Sequence, residues 1–375
     1  MPISKLDDDA FTRVRIILMN GIEQQRGRFL HHLAQMYGPL RIPLAQVRRL
    51  SHHQQTMVNW LLPPDQTPLE TTIAYEQVAI EVTAMIALAE PDPYHAQIHR
   101  FGLLEDFDHM YRFSALMDRM EGKDSNNILQ SYTDVIPGRP TAVEHRAPVD
   151  DLRRPYDRLT ADVLTKIHDL TLVSGEYQTR DFYMTIGPMA PSMLARLLYA
   201  EIASIEEQHV TQYESLLDPM ETPLEKWLMQ ELTTVYNYAS CVKTESNPRI
   251  REIWQTCLDR TLGQFHFAMA IFRQLEKRDP VDLIPETLPE TFSYTASRDF
   301  IREVLKDEVQ LRAVGEEIVD PAKVPESEAT ERYRELLNRR GSPSTAVADG
   351  WQWQPGGELM NGTEALMDFS PGRLQ

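Results

Sequence analysis

Two stretches one hundred residues apart carry the same chemistry: Glu76 with Asp106 and His109, and Glu176 with Glu206 and His209. Each set places a carboxylate on one helical segment and, thirty residues on, an acid three positions before a histidine. Residues three apart share a helix face, so each acid and imidazole project together. That face is apolar in both copies: Leu198, Ile202, Ala203, Val210, Tyr213 and Leu217 around Glu206 and His209, and Leu103, Met110, Phe113 and Met117 around Asp106 and His109. Glu76 stands among Ile73, Ile80 and Thr83, and Glu176 among Leu172, Val173 and Tyr183. A carboxylate aimed into a core must be paired, hydrogen-bonded or bound to a cation. One such motif on an acidic helix reads as a solvated face; two in register ask for a shared metal.

An ungapped alignment of 70–118 with 170–218 also pairs Thr71 with Thr171, Ile86 with Ile186, Pro91 with Pro191, Leu116 with Leu216 and Asp118 with Asp218. The metal-capable residues and the helix-starting prolines therefore coincide at one offset, as a duplicated element would leave them.

The pattern along the chain predicts an all-α protein, with no segment alternating at period two. Helices are expected near 8–37, broken at Asn20-Gly21, and at 43–62, 70–89, 94–120, 157–186, 191–217, 222–244, 248–278, 296–314 and 326–340. The Pro- and Gly-rich stretch 122–156 reads as a long crossover. This divides the chain into an N-terminal helical extension (1–66), a four-helix bundle (67–220), a C-terminal helical region packed on it (221–340) and a flexible tail (341–375) carrying Trp351 and Trp353.

A balance of 38 basic against 56 acidic residues, net charge −18, disfavours nucleic acid and anionic membrane surfaces as partners and suits cations. No run of eighteen apolar residues appears and the start, MPISKLDDDAFTR, has no leader-like pattern, so a cytoplasmic location is expected. With only Cys241 and Cys257, thiolate clusters are excluded, and nitrogen and oxygen ligation remains, favouring iron, manganese or zinc.

With Glu76, Asp106-Phe-Asp-His109, Glu176 and Glu206-Glu-Gln-His209, the segment 70–218 resembles the ferritin-like superfamily of two-metal carboxylate proteins, especially its rubrerythrin-like members. The resemblance covers about two fifths of the chain. It implies a ferritin-like four-helix bundle with a crossover between its second and third helices. It also implies two iron ions, with manganese as the alternative. Glu76, Asp106, His109, Glu176, Glu206 and His209 are then the ligands: carboxylates such as Glu76 and Glu176 bridge the ions and one histidine caps each. The implied activity is that of an oxidoreductase taking oxygen or peroxide and an unidentified small molecule, with iron handling by a ferroxidase, or a metal-free helical scaffold, as alternatives; a homodimer is compatible with it.

Asp106 stands where the family has Glu, and Glu105 is the alternative ligand. Ser174-Gly175 precedes Glu176 and His168 lies two turns before it as a spare candidate. Tyr183, one or two turns from Glu176, either packs in the core, the commoner role of an inward tyrosine, or hydrogen-bonds a ligand. Glu231 and His266 form a second-ranked alternative set, and the adjacent pairs His31-His32 and His52-His53 point apart and read as surface residues.

Overall fold

A computed structural model of the chain describes residues 1–5 and 7–353. The described residues are mostly helical, consistent with the all-α expectation. The long helices are α1 (Ala10–Met36), α2 (Arg41–Asn59), α3 (Pro68–Ala89) and α4 (Pro93–Glu121). Three one-turn helices follow, α5 (Asn126–Leu129), α6 (Thr141–Glu144) and α7 (Pro148–Asp151). Then come α8 (Val163–Ile186), α9 (Met193–Ser215), α10 (Pro223–Thr244) and α11 (Pro248–Glu276), and last α12 (Arg298–Glu308), α13 (Glu328–Asn338) and α14 (Pro343–Ala348).

The long helices pair as antiparallel neighbours, α1 with α2, α3 with α4, α8 with α9 and α10 with α11. The α3–α4 hairpin faces α8–α9 through α3 against α8 and α4 against α9; α1–α2 faces α10–α11 through α1 against α10 and α2 against α11. Contacts of α1 and α10 with α8, and of α1 with α3, join the two sets through one hydrophobic core. The helix α3 shows the consequence for sequence: enclosed on several sides, it is apolar around most of its circumference and long enough in composition to span a bilayer, yet it is buried in protein.

The two sets are copies. Asp9 and Asp162 cap α1 and α8 at an offset of 153 residues (162 − 9), and Thr67 and Thr222 close capping boxes on α3 and α10 at an offset of 155 (222 − 67). Both capping boxes have the sequence Thr-Pro-Leu-Glu, both of these helices run 22 residues, and α4 and α11 both run 29. Even the polar contacts recur: Thr67 Oγ1 donates to Glu121 at 2.9 Å and Thr222 Oγ1 to Glu276 at 2.7 Å, while Thr165 and Thr12 donate to Glu90 and Glu245 at the ends of α3 and α10. The chain therefore repeats a four-helix unit, α1–α4 and α8–α11. The hundred-residue correspondence in the sequence relates α3–α4 to α8–α9, the facing hairpins of one set.

Several expectations change. The helix α1 is unbroken at Asn20-Gly21, because that glycine serves packing: a Cβ there would lie 2.5 Å from Gln178 Oε1 and 3.0 Å from the Ser174 carbonyl of α8. The helix expected over 296–314 stops at Glu308, and β1 (Arg312–Val314) pairs with β2 (Glu317–Val319) around Gly315, whose φ of +55° makes the turn. Of the tail, Pro343–Ala348 is helical and docked: Trp351 is buried, its Nε1 donates to Asp118 Oδ2 at 2.9 Å, and the Ser344 amide donates to Glu201 at 2.8 Å. Residues 354–375 lie outside the described residues.

Candidate metal centre

The segment 122–162 is ordered over the α3–α4 and α8–α9 hairpins, and beneath it the six residues singled out by the sequence meet. Glu76 comes from α3, Asp106 and His109 from α4, Glu176 from α8, and Glu206 and His209 from α9. All six are buried. Donor atoms of Glu76, His109 and Glu206 lie within 4.8 Å of one another, as do those of Asp106, Glu176, Glu206 and His209, so Glu206 belongs to both groups. The imidazole rings of His109 and His209 are nearly parallel, with centroids 5.5 Å apart.

Each histidine turns Nδ1 inward. His109 Nδ1 lies 3.2 Å from Glu206 Oε1, and His209 Nδ1 lies 3.4 Å from Asp106 Oδ1, 3.4 Å from Glu206 Oε2 and 3.7 Å from Glu176 Oε2. The outer nitrogens are held by carboxylates: His109 Nε2 is 3.1 Å from Glu144 Oε2 and His209 Nε2 is 2.9 Å from Glu105 Oε2. An imidazole whose outer N–H is so held keeps its inner lone pair for a cation. Glu105 is thus not a substitute for Asp106. It faces the other way, bonded to Arg139 at 2.9 Å and to Arg146, which anchor it from the 122–162 segment. Glu144, Arg139 and Arg146 carried no spacing signal; only tertiary packing brings them here.

The donor set fits a pair of divalent cations. Both oxygens of Asp106, Oε2 of Glu76, Glu176 and Glu206, and Nδ1 of His209 are buried without hydrogen-bond partners. Buried polar atoms are rarely left so. Two ligands at about 2.1 Å from one ion are separated by about 3.0 to 3.4 Å for angles between octahedral and tetrahedral, the range in which His209 Nδ1 meets Asp106 and Glu206. Four carboxylates also balance the charge of two divalent ions while the imidazoles stay neutral.

Without a cation, protons take its place. Burial pushes Glu76 and Asp106 well above the usual carboxylate range, with Glu206 and Glu176 respectively adding like charge. Burial brings Glu176 to about 7 and Glu144 to about 8. Burial acts on Glu206 in the same sense, but the adjacent imidazoles of His109 and His209 outweigh it and hold the group below its usual value. Burial disfavours charge on both histidines too, yet the surrounding carboxylates raise them well above the ordinary imidazole value.

Tyr183 Oη donates to Glu76 Oε1, placing the tyrosine against the centre. His168 does not join it; its Nδ1 lies 2.7 Å from Glu90 and its ring stacks on Phe292. His266 is exposed on α11. Ser174-Gly175 leaves α8 continuous, and a Cβ on Gly175 would meet nothing within 4 Å. Beside it a cavity of about 20 Å³, lined by Leu18, Val78, Val82, Leu172, Gly175 and Glu176, lies between α1, α3 and α8, with Glu176 the candidate ligand in its wall.

The other set of hairpins holds the equivalent positions in altered form. By the offsets above, Glu76 corresponds to Glu231, Asp106 to Thr261, His109 to Gln264, Glu176 to Glu23, Glu206 to Ser51 and His209 to Gln54. These six are also buried and also converge: Gln54 Nε2 donates to Glu23 Oε1 at 2.9 Å and Gln264 Nε2 donates to Gln54 Oε1 at 3.0 Å. Their cation is covalent. The Arg26 guanidinium donates to Glu231 Oε1 at 3.0 Å, Glu23 Oε2 at 3.3 Å and Gln264 Oε1 at 2.6 Å. Glu231 thus belongs to a second centre, with Arg26 where His266 was considered.

Comparison with protein-family models, with curated proteins and with solved structures returned no match.

Proposed function

We propose that the α3–α4 and α8–α9 hairpins form a ferritin-like four-helix bundle carrying a di-iron centre, and that the protein is a rubrerythrin-like oxidoreductase acting on oxygen or peroxide. The observation that carries this reading is the convergence of six buried side chains from four helices, five of them with an unpartnered donor atom. The bundle reading has separate support. His99 of α4 meets Asp169 of α8, and seven residues further along both helices Asp106 and Glu176 meet at the same centre, so α4 and α8 run parallel. Parallel helices that follow one another in the chain need a connection spanning their length, and 122–162 supplies it.

Glu76, Asp106, His109, Glu176, Glu206 and His209 would hold the two iron ions, which would supply redox chemistry toward oxygen or peroxide. The chain's own part is positional. Glu144 and Glu105 fix the imidazoles, Glu206 belongs to both donor groups, and Tyr183 holds one Glu76 oxygen so that the other is left unpartnered. The cavity at Gly175 has room for about one water-sized molecule. That size suits dioxygen or peroxide and favours, as a second reading, a ferroxidase whose only other reactant is iron itself.

Metal analysis of the purified chain tests the proposal. At least two ions per chain, iron foremost, are expected, with loss in His209→Ala and, because Glu105 is committed elsewhere, in Asp106→Ala too. Protein that stays empty after anaerobic ferrous addition would leave only a helical scaffold. Oxidant consumption without an added organic reductant, by a hollow oligomer, would select the ferroxidase.

A further inference from the structure

A second ligand cluster lies along the same helices and takes no part in the centre above. His95 and His99, one turn apart on the same face of α4, meet Asp169 of α8. All three are buried, and one donor atom from each lies within 4.8 Å of the others. His99 Nε2 and Asp169 Oδ1 form a hydrogen bond at 3.0 Å. His95 Nδ1 and Asp169 Oδ2 are ion-paired at 3.0 Å without a well-directed hydrogen bond between them. A carboxylate held between two imidazoles in this way offers three donor atoms close enough for one ion to bind. The separation is that of two ligands at about 2.1 Å from one ion and 90° apart.

We propose that His95, His99 and Asp169 bind a third transition-metal ion, zinc or ferrous iron, at a site separate from the two-metal centre. Two imidazoles and one carboxylate are the facial donor set suited to these ions, and they leave coordination positions open. The positive end of α4 works against a cation one turn inside it, but Glu90 and Asp92 act on His95 in the opposite sense. Along both helices the site lies seven residues before Asp106 and Glu176, about 10 Å at 1.5 Å per residue. Tyr213 stands in that interval, its ring 6.0 Å from His99 and its hydroxyl without a partner; a Cβ at Gly102 would come within 2.1 Å of that hydroxyl, so glycine is what admits it.

The sister half shows that the fold does not require this trio. The equivalent positions are Ile250, Trp254 and Ile16, all buried, and there the space is filled by apolar packing. Three polar residues kept in a place where apolar ones pack are expensive unless something binds them.

The test is cobalt and zinc titration of the chelated full-length protein, followed by metal analysis. The parent should hold about three ions per chain, Asp169→Asn and His99→Ala about two, and the double variant Glu206→Ala/His209→Ala about one, with the cobalt spectrum of the remaining ion changed by His95→Gln. If the parent binds no more ions than folded Asp169→Asn or His99→Ala, the third site is refuted, and the trio is a hydrogen-bonded pair with a spectator. Failure of the two-metal reading would look different: the Glu206→Ala/His209→Ala variant would match the parent while Asp169→Asn lost an ion.

Discussion

The two halves of this molecule solve one electrostatic problem in two ways. In each, carboxylates are aimed at a common buried point, from four helices in one half and from two in the other, and in each the charge must be met. Around Glu23 and Glu231 it is met by Arg26, which is fixed in the chain, while Gln54 and Gln264 stand where the other centre has histidines and Ser51 and Thr261 where it has acids. Around Glu76, Asp106, Glu176 and Glu206 no arginine enters; Thr179 occupies the position equivalent to Arg26, and the donor atoms remain open. A guanidinium cannot leave or change its valence, whereas an ion can. The same scaffold therefore carries one centre suited to structure and another suited to exchangeable chemistry.

The sharpest way to break this comparison is to remove the built-in cation. Arg26→Met leaves Glu23 and Glu231 as buried unpaired charges and should cost about 3–5 kcal/mol in denaturant unfolding at neutral pH. Neutralising both acids in the same background, Glu23→Gln with Glu231→Gln, should restore most of it. A loss below about 1 kcal/mol would show that Arg26 is not the charge on which that centre depends.

The corresponding experiment in the other half is chelation. Stripping ions from protein held at about 100 times their dissociation constant should lower stability by about 2.7 kcal/mol, and re-addition should restore it. The effect should be the same in an Arg26→Met background. A melting temperature indifferent to chelator would place the two halves in one class.

Smaller effects come from the residues behind the imidazoles. Glu144→Gln and Glu105→Gln remove the carboxylates that orient His109 and His209, and each should weaken metal binding by about 10–100-fold while leaving the ligand count intact. Gln54→Leu, at the position equivalent to His209, should leave metal affinity unchanged; titration of the three variants side by side reads the difference.

The mildest expected effect is on pH. In the metal-free protein burial holds Glu176 at about 7, so below that pH a proton occupies the place an ion must take. Affinity should therefore fall as pH drops through about 7, by about tenfold per pH unit for each proton displaced. Folding of the metal-free protein should respond with the opposite sign. Between the usual 4.5 and about 7 the folded state keeps a proton that the unfolded chain has lost, so stability at this group falls as pH rises through that window. Calorimetry in buffers of different ionisation enthalpy would count the protons; binding without proton release would contradict the site's electrostatics.

Legibility varied with how local the cause was. Helix starts expected at 70, 94, 222 and 248 fall within two residues of the observed ones, whereas the prolines read as helix-starting, Pro91 and Pro191, stand one residue before the N-caps Asp92 and Ser192. Asp106 with His109 and Glu206 with His209 stood out because i and i+3 share a face, and Glu76 and Glu176 because they recur at the same hundred-residue offset. The offset of 155 was also present, in the two Thr-Pro-Leu-Glu tetrapeptides, but four of the six ligand residues that drew attention to the shorter offset are replaced across the longer one. Gly21 and Gly175 were misread or left open, since a glycine that admits a neighbouring helix, one that leaves a cavity and one that breaks a helix look alike in sequence.

By itself the sequence determined the helical class, the face on which each acid and histidine lies, and the chemistry of those donors, because propensity, capping and periodicity are properties of a few adjacent residues. Tertiary structure alone decided which faces meet. It joined α1–α2 to α10–α11 and α3–α4 to α8–α9, put Arg26 into one centre and kept arginine out of the other, and brought Glu144, Arg139 and Arg146 over the imidazoles. Those outcomes depend on residues tens to hundreds of positions apart competing for the same buried volume and the same uncompensated charge, and no local rule carries that information.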